Sequence, residues 1–338
     1  MSHHVRPMNV HVAQGSEAER IVLARAGLPG GQPAEPEVLV PGMPSTPKHD
    51  LHYHQGKTIQ NLTFTNFYVG GINSWNHDDI HFIDLALAAA MSDQCLNNVM
   101  MQYFSNQPIT STFKPSQILP GPAPSLVSQG DVENLLHQLY SDGQLNNFDF
   151  GSTIFNFMLP SGTVLTDDPT PGQEKEHHES MHRNPVPHDD EEASSLHGLG
   201  GYHGSIHVTE TDGTQQTIYY AVGVYSEQRS DGTTNGIPIF DSPWKNVVAT
   251  FYHELNEART DCDVEDAIKA GNDPSATKFL GWTSRQGEEC GDFPVFEAKP
   301  LTEVFQEVSL TDQTGTVPVQ FQYSNAVHGP EGPIPNPH

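Results

Sequence analysis

The sequence predicts an α+β domain in which a mixed β-sheet packs against one long amphipathic helix. Three observations support this fold class: segments of alternating apolar residues, segments with helical apolar spacing, and a hairpin pattern that precedes the longest helix. The chain has 338 residues, of which 35% are hydrophobic. It therefore has enough apolar material for one large or two modest domains.

The elements before the longest helix are predicted as follows. Residues 1–48 are rich in Gly, Pro and Glu, suggest a helix only over 18–26, and are expected to form a flexible N-terminal arm. Apolar spacing then predicts a strand over 58–69, a helix over 77–90 and a second strand within 103–113. A second helix is predicted over 131–140 and a β-hairpin over 206–224.

The longest helical pattern covers residues 244–258. Asp241 or Ser242 is suited to the N-cap, and Pro243 lies in the first turn, where its missing N–H costs nothing. Apolar residues recur at helical spacing and predict a buried stripe, formed by Val247, Val248, Phe251, Tyr252 and Leu255. The pattern therefore predicts a helix that packs in the core.

This helix carries the sequence His253-Glu254-Leu255-Asn256-Glu257. Residues four apart share a helix face, so His253 and Glu257 can bind one metal ion with Glu254 beside it. Zinc accepts imidazole and carboxylate ligands and acidifies a bound water, whose proton Glu254 would accept. The familiar motif H-E-x-x-H has a second His where this chain has Glu257, and the extra carboxylate should weaken that acidification. The alternative is a polar helix face that contains these residues by chance.

The segments after the helix carry a family resemblance. The order H-E-L-x-E-A-x-T-D from His253, G-W from Gly281 and G-x-E-x-G-D from Gly287 resembles the C-terminal half of the Exordium-like, phosphate-induced protein family and its bacterial relatives. Earlier segments are also similar to that family, so the resemblance spans residues 50–295. It departs from the family pattern at Asn256 and Cys262. Because the family is often interpreted as zincin-like, the resemblance implies a zincin-like metallopeptidase-type domain.

The predicted organisation follows from this resemblance and from composition. The zincin-like domain is expected over residues 49–300, with a mobile, acidic and His-rich insertion at 166–195. Residues 301–338 are expected to add one or two strands, over 317–323, and a Pro-rich tail.

A literal H-E-x-x-H motif lies inside the insertion, from His178 to His182. Prolines flank it, an acidic run follows it, and Met181 is almost its only apolar residue. A helix without an apolar stripe has nothing to pack against and would not hold two His ligands in place. We therefore favour His253 over this motif as the catalytic site.

Several residues compete to complete the metal site. Asp261 lies two helical turns after His253, about 80° around the axis, at the edge of the same face. Glu289 and Asp292 come from a Gly-flanked loop that could fold back onto the helix. The resemblance implies that both segments matter; we favour Glu289 as the extra ligand and expect Asp261 to contact the ion or to support a ligand.

Two further histidines, His203 and His207, lie in the first strand of the hairpin. One of them, with His203 as the candidate, could stabilise a tetrahedral oxyanion during catalysis. The alternative is a structural role, which is the commoner one for a single His on a strand.

Charge and cysteine content restrict the class of protein. The formal net charge of −27 repels nucleic acid and anionic membranes, so we exclude both as main partners. No apolar stretch is long enough for a membrane span and no signal segment is visible, so both a secreted and a cytoplasmic location fit. Three cysteines imply no disulfide framework, although Cys262 and Cys290 could form a bridge or be two small buried side chains.

The sequence thus predicts a zinc-dependent hydrolase that acts on a peptide or protein substrate. His253, Glu257, Asp261 and Glu289 are the candidate metal ligands, Glu254 is the candidate general base, and His203 is a second candidate catalytic residue. The main rival is a non-catalytic, extracellular or cell-surface interaction protein stabilised by calcium or zinc, because carboxylate-rich sites suit calcium. A third alternative is the same fold without any metal.

Overall fold

The fold is described from a computed structural model over residues 8–25, 43–167, 193–210, 212–271 and 273–332. The His178 to His182 motif and most of the 166–195 insertion lie outside the described residues. Helices and strands are mixed along the chain around one large mixed sheet, which confirms the α+β class at this level.

Sixteen strands and seven α-helices are described. The strands are β1 (Val10–Val12), β2 (His52–Tyr53), β3 (Asn61–Tyr68), β4 (Thr110–Ile118), β5 (Leu126–Val127), β6 (Thr153–Met158), β7 (Val164–Leu165), β8 (Leu199–Thr209), β9 (Gln215–Gly223), β10 (Glu227–Gln228), β11 (Thr234–Asn235), β12 (Trp282–Thr283), β13 (Phe305–Ser309), β14 (Thr316–Gln320), β15 (Gln322–Ser324) and β16 (Gly329–Glu331). The helices are α1 (Glu17–Arg25), α2 (His77–Ser92), α3 (Asn98–Met101), α4 (Gln129–Ser141), α5 (Pro243–Thr260), α6 (Val264–Ala270) and α7 (Asp292–Glu297).

The central sheet has six strands in the order β1-β8-β9-β6-β3-β4. Strands β9, β6, β3 and β4 run parallel to one another. Strand β8 is antiparallel to β9, and β1 is antiparallel to β8. Side chains of β6 alternate between two cores: Phe155 and Phe157 enter one, and Ile154 and Met158 enter the other. The sheet is therefore covered on both faces, as expected for parallel strands rich in apolar residues.

Each face of the sheet is covered by helices. Helices α1 and α4 pack on one face, where Val132, Leu136 and Leu139 of α4 are buried. Helices α2 and α5 pack on the other face, and the predicted α5 stripe is buried there together with β14. Helix α4 begins with a capping box between Ser128 and Asp131, which satisfies two otherwise unpaired N–H groups.

Helix α5 begins at Pro243, as its sequence indicates. Ser242 occupies the N-cap position, but its side chain makes no capping hydrogen bond, so proline is the main local start signal. Almost every residue from Asn246 to Thr260 is buried. The helix therefore presents its polar motif to the protein interior.

Two regions differ from the sequence prediction. The strand expected within 103–113 begins only at Thr110, because Tyr103 and Phe104 pack into a separate apolar cluster. The segment expected to be an arm instead supplies β1, which pairs with β8, and helix α1, whose Ala18, Ile21 and Val22 are buried. Alternating Val10 and Val12 give this segment enough apolar surface to dock on the sheet.

No helix within the described part of the chain has the length and apolar character needed to cross a membrane. The three cysteines are free, and Cys262 and Cys290 are two separate buried side chains.

Candidate metal centre

The polar face of α5 meets strand β8 of the sheet and the loop before α7. His253, Glu254 and Glu257 are all fully buried, and they lie next to His203 of β8 and Glu289 of the loop. The structure thus brings together five of the six residues that the sequence predicts for the site. We call this group, together with Asp292, the metal centre.

His253 has the orientation of a metal ligand. Its Nε2 lies 3.0 Å from Glu257 Oε2, and its Nδ1 makes a hydrogen bond to Gln320 Oε1. The Gln320 amide nitrogen donates to the carbonyls of Gly291 and Phe321, which fixes the amide oxygen toward His253. Because that oxygen can only accept, Nδ1 carries a hydrogen, and Nε2 is the nitrogen directed toward Glu257 and available to a metal ion once it is deprotonated.

Glu254 and His203 form a second contact across the centre. His203 Nδ1 lies 3.2 Å from Glu254 Oε2, and its Nε2 lies 3.6 Å from Glu289 Oε1. Burial alone would lower the pKa of His203, but the charges of Glu289 and Glu254 raise it well above its usual value. Burial raises the pKa of Glu254, and its Oε1 has no hydrogen-bond partner.

The loop before α7 brings Glu289 and Gly291 to helix α5, and the first residue of α7 is Asp292. Gly291 donates its backbone N–H to Glu257 Oε1 at 2.9 Å, and Glu289 donates its own to Asp292 Oδ2 at 2.8 Å. A Cβ at Gly291 would lie 2.3 Å from His253 Nδ1, so no larger residue fits there. Burial raises the pKa values of Glu289 and Asp292 well above the usual range.

Asp261 is positioned differently from the other acids. It is the C-cap residue of α5, and its Oδ1 accepts a hydrogen bond from Gly281 N at 2.6 Å. This contact joins the T-D segment to the G-W segment, the two motifs that follow the helix motif. Burial raises the pKa of Asp261 to about 8, and its Oδ2 has no partner. Asp261 therefore supports the end of the helix that carries the ligands.

Two sets of side chains in the described part of the chain have the spacing of metal ligands. One donor atom from each of His253, Glu257 and Asp292 lies within 4.8 Å of the others, and the same holds for His203, Glu254 and Glu257. Asp292 was named from sequence only as a loop acid, because its position beside His253 depends on the fold of the loop.

No lysine or arginine among the described residues forms an ion pair with these acids. Arg259 is buried on the same helix, but it donates to the backbone carbonyls of Gln60 and Thr110, away from the centre. Several donor atoms that face the centre have no hydrogen-bond partner: His203 Nε2, His253 Nε2, Glu254 Oε1, Glu257 Oε2, both Glu289 oxygens and Asp292 Oδ1. Unpaired buried charge is costly, so the donor set fits a cation supplied from outside the chain.

One residue of the centre was missed by sequence reasoning. His11 of β1 is buried, and its ring centroid lies 3.9 Å from that of His253. Burial lowers the pKa of His11 well below its usual value, and neither ring nitrogen has a hydrogen-bond partner. The only sequence signal was the alternation in Val10-His11-Val12, which directs the two valines to the core and the histidine to the opposite face.

The other predicted hairpin histidine lies outside the centre. His207 is exposed and contacts Asp266 and Thr217. Of the two candidates, only His203 faces Glu254.

No protein-family model, no curated protein and no solved structure matches the chain. The resemblance to the Exordium-like family and the zincin-like fold therefore stay predictions.

Proposed function

We propose that the protein is a zinc-dependent hydrolase of peptide or amide bonds, with a zincin-like catalytic domain. The observation that carries the proposal is a cluster of buried donors: His253 and Glu257 lie together on α5, His203 and Glu289 lie beside them, and no lysine or arginine of the described chain forms an ion pair with these acids. Zinc bound there would polarise a substrate carbonyl and acidify a water.

Glu254 is the residue suited to proton transfer. It follows His253 directly on α5, and its Oε1 is buried without a hydrogen-bond partner. His203 contacts the other Glu254 oxygen and would stabilise negative charge on the substrate. Asp261 would act indirectly, because its hydrogen bond to Gly281 holds the end of the helix.

A second candidate function is a metal-stabilised, non-catalytic interaction protein. Two observations favour it: the side chains of the metal centre are almost completely buried, whereas a substrate needs access, and carboxylates outnumber imidazoles among the donors. Oxygen-rich coordination suits calcium better than zinc. In this case the ion would stabilise the fold without chemistry.

Metal analysis and a cleavage assay separate the two candidates. The full chain is purified, its metals are measured by mass spectrometry, and hydrolysis of a mixed peptide library is followed for wild type and Glu254→Gln. Glu17→Gln is the matched control, because Glu17 lies on the surface of α1. Bound zinc with cleavage lost only in Glu254→Gln supports the hydrolase. Calcium, or zinc without cleavage by wild type, supports the interaction protein, and absence of bound divalent metal contradicts both.

A further inference from the structure

We infer that the metal centre holds two divalent cations that share the carboxylate of Glu257. The inference rests on the metal binding proposed above, although it does not require hydrolysis. It follows from the two sets of donors, which have only Glu257 in common.

The spacing of the donors favours two positions over one. Ligands of one zinc ion, each at about 2.0–2.2 Å, are separated by no more than about 4.4 Å. The atoms of each set lie within 4.8 Å of one another, so small side-chain movements would bring each set to that span. His253 and Asp292 belong to one set, and His203 belongs to the other. One ion bound by either set would leave the histidine of the other set without a metal, whereas two ions use both histidines.

The first cation would contact His253 Nε2, Glu257 Oε2 and Asp292 Oδ1. All three atoms are buried; His253 Nε2 and Glu257 Oε2 face each other at 3.0 Å, and none of the three has a hydrogen bond to any other group. The remaining atoms of these side chains are already held: His253 Nδ1 by Gln320, Glu257 Oε1 by Gly291 N, and Asp292 Oδ2 by Glu289 N. The free atoms are therefore oriented before any ion binds.

The second cation would contact His203 and Glu257 of the second donor set, together with Glu289, which is not a member of that set but lies beside His203. Glu289 has two unpartnered oxygens, and its Oε1 lies 3.6 Å from His203 Nε2. Glu254 Oε2 contacts His203 Nδ1 and orients this imidazole, as carboxylates do for metal-bound histidines in many proteins. Glu254 is itself a member of this donor set and its Oε1 has no hydrogen-bond partner, so its proposed role as a base requires that Glu289 takes its place as the ligand.

The charge balance also favours two cations. Five buried acids lie in or beside the two positions: Glu254, Glu257, Asp261, Glu289 and Asp292. When all of them are ionised, their negative charge exceeds what one divalent cation compensates, and a second cation reduces the excess in the interior. Two-metal hydrolytic sites place their ions about 3.5–4 Å apart, a separation that one shared carboxylate can span.

Manganese titration tests this inference on the full chain. Metal is removed with a chelator, Mn²⁺ is added, and bound Mn²⁺ is counted by mass spectrometry while electron paramagnetic resonance reports coupling between ions. We expect two Mn²⁺ per chain with a spin-coupled signal. Asp292→Asn and Glu289→Gln should each bind one Mn²⁺ with an uncoupled signal, whereas Glu17→Gln should bind two.

The outcomes separate this inference from the proposed function. One uncoupled Mn²⁺ per wild-type chain overturns the two-cation centre but leaves a single-metal hydrolase intact. No bound Mn²⁺ contradicts the two-cation centre, and zinc binding tested in parallel then decides the proposed function. Circular dichroism of each variant shows whether a lower count reflects lost ligands or lost folding, and the wild-type count decides the inference even if a variant does not fold.

Discussion

Two groups of buried acids lie on neighbouring helices, and they differ in how their charge is balanced. In the metal centre on α5, the acids contact only histidines and backbone N–H groups among the described residues. In the second group, which we call the lysine cluster, Glu265 of α6 accepts hydrogen bonds from Gln129 at 2.7 Å and Ser205 N at 2.7 Å. Lys269 lies 2.6 Å from the same carboxylate and 3.4 Å from Glu133.

The comparison separates buried acids that are paired within the described chain from buried acids that are left without a basic partner there. The lysine cluster contains its own positive charge and fills the acceptor positions of Glu265, so it is complete within the chain. The metal centre has four acids and free donor atoms, with only imidazoles beside them. A buried carboxylate alone therefore does not indicate a metal site; a candidate site also has converging donor atoms that no lysine or arginine of the described residues pairs with.

Metal removal should have the largest effect and should act only on the metal centre. Chelation at neutral pH leaves converging buried carboxylates without a counterion, and we expect the free energy of unfolding to fall by about 3–5 kcal/mol or more. Thermal unfolding with and without chelator measures the change. Lys269→Met should lower stability by the same amount in both conditions. An unchanged melting temperature of the wild type after complete metal removal would contradict the comparison.

Gly291→Ala should damage the metal centre by steric overlap. The new Cβ would lie 2.3 Å from His253 Nδ1 and 2.9 Å from Glu257 Oε1, so the ligands must move. We expect reduced metal content and a loss of about 3 kcal/mol in the free energy of unfolding. Gly315→Ala is the matched control, because a Cβ there meets no atom within 4 Å. Equal metal content in both variants would show that the close approach of the loop is unimportant.

The lysine cluster should respond to pH rather than to metal. Burial, with Glu133 nearby, raises the pKa of Glu265 from 4.5 to about 7, so the folded state holds this proton to a higher pH than the unfolded state. The stabilising contribution is therefore present below pH 4.5 and is lost as the pH rises through about 7.

Glu265→Gln should remove this part of the pH dependence, on the order of 1–2 kcal/mol. Urea unfolding of wild type and variant at pH 5 and pH 8 measures it, with Glu17→Gln as the surface control. The same pH dependence in wild type and Glu265→Gln would refute the assignment.

His11→Phe should have the smallest effect. Phenylalanine keeps a ring against His253 and Phe305 but removes two buried nitrogens that have no partner. We expect the stability to change by less than about 1.5 kcal/mol and the metal count to stay the same. Metal analysis and thermal unfolding check both points, and a lower metal count would make His11 a ligand instead of a packing residue.

The sequence predicted the parts of the molecule that local patterns determine. Helix α5 begins one residue before the predicted range and ends two residues after it. The match is close because Pro243 marks its first turn and the apolar stripe marks its buried face, and both are local signals. The predicted α2 and α4 also match closely, since each has a cap and an apolar face. His253 and Glu257 lie close together for the same reason, as residues four apart on one helix.

The parts that depend on long-range packing were harder to predict. Asp292 reaches His253 only because Gly291 allows the loop to approach α5, and nothing in the local sequence gives that distance. His11 lies 242 residues before His253 and enters the centre through the pairing of β1 with β8. Sheet neighbours distant in sequence leave only weak local patterns, so the N-terminal segment resembled an arm.

Gln320 gives the C-terminal segment a direct part in the chemistry of His253. It lies at the end of β14, beyond residue 300, and its amide determines which imidazole nitrogen carries the hydrogen. An expression fragment that stops at residue 300 would lose this amide and the β14 surface that packs on α5. Recombinant fragments intended to retain ion binding must therefore extend at least through Phe321, whose carbonyl helps to orient the amide.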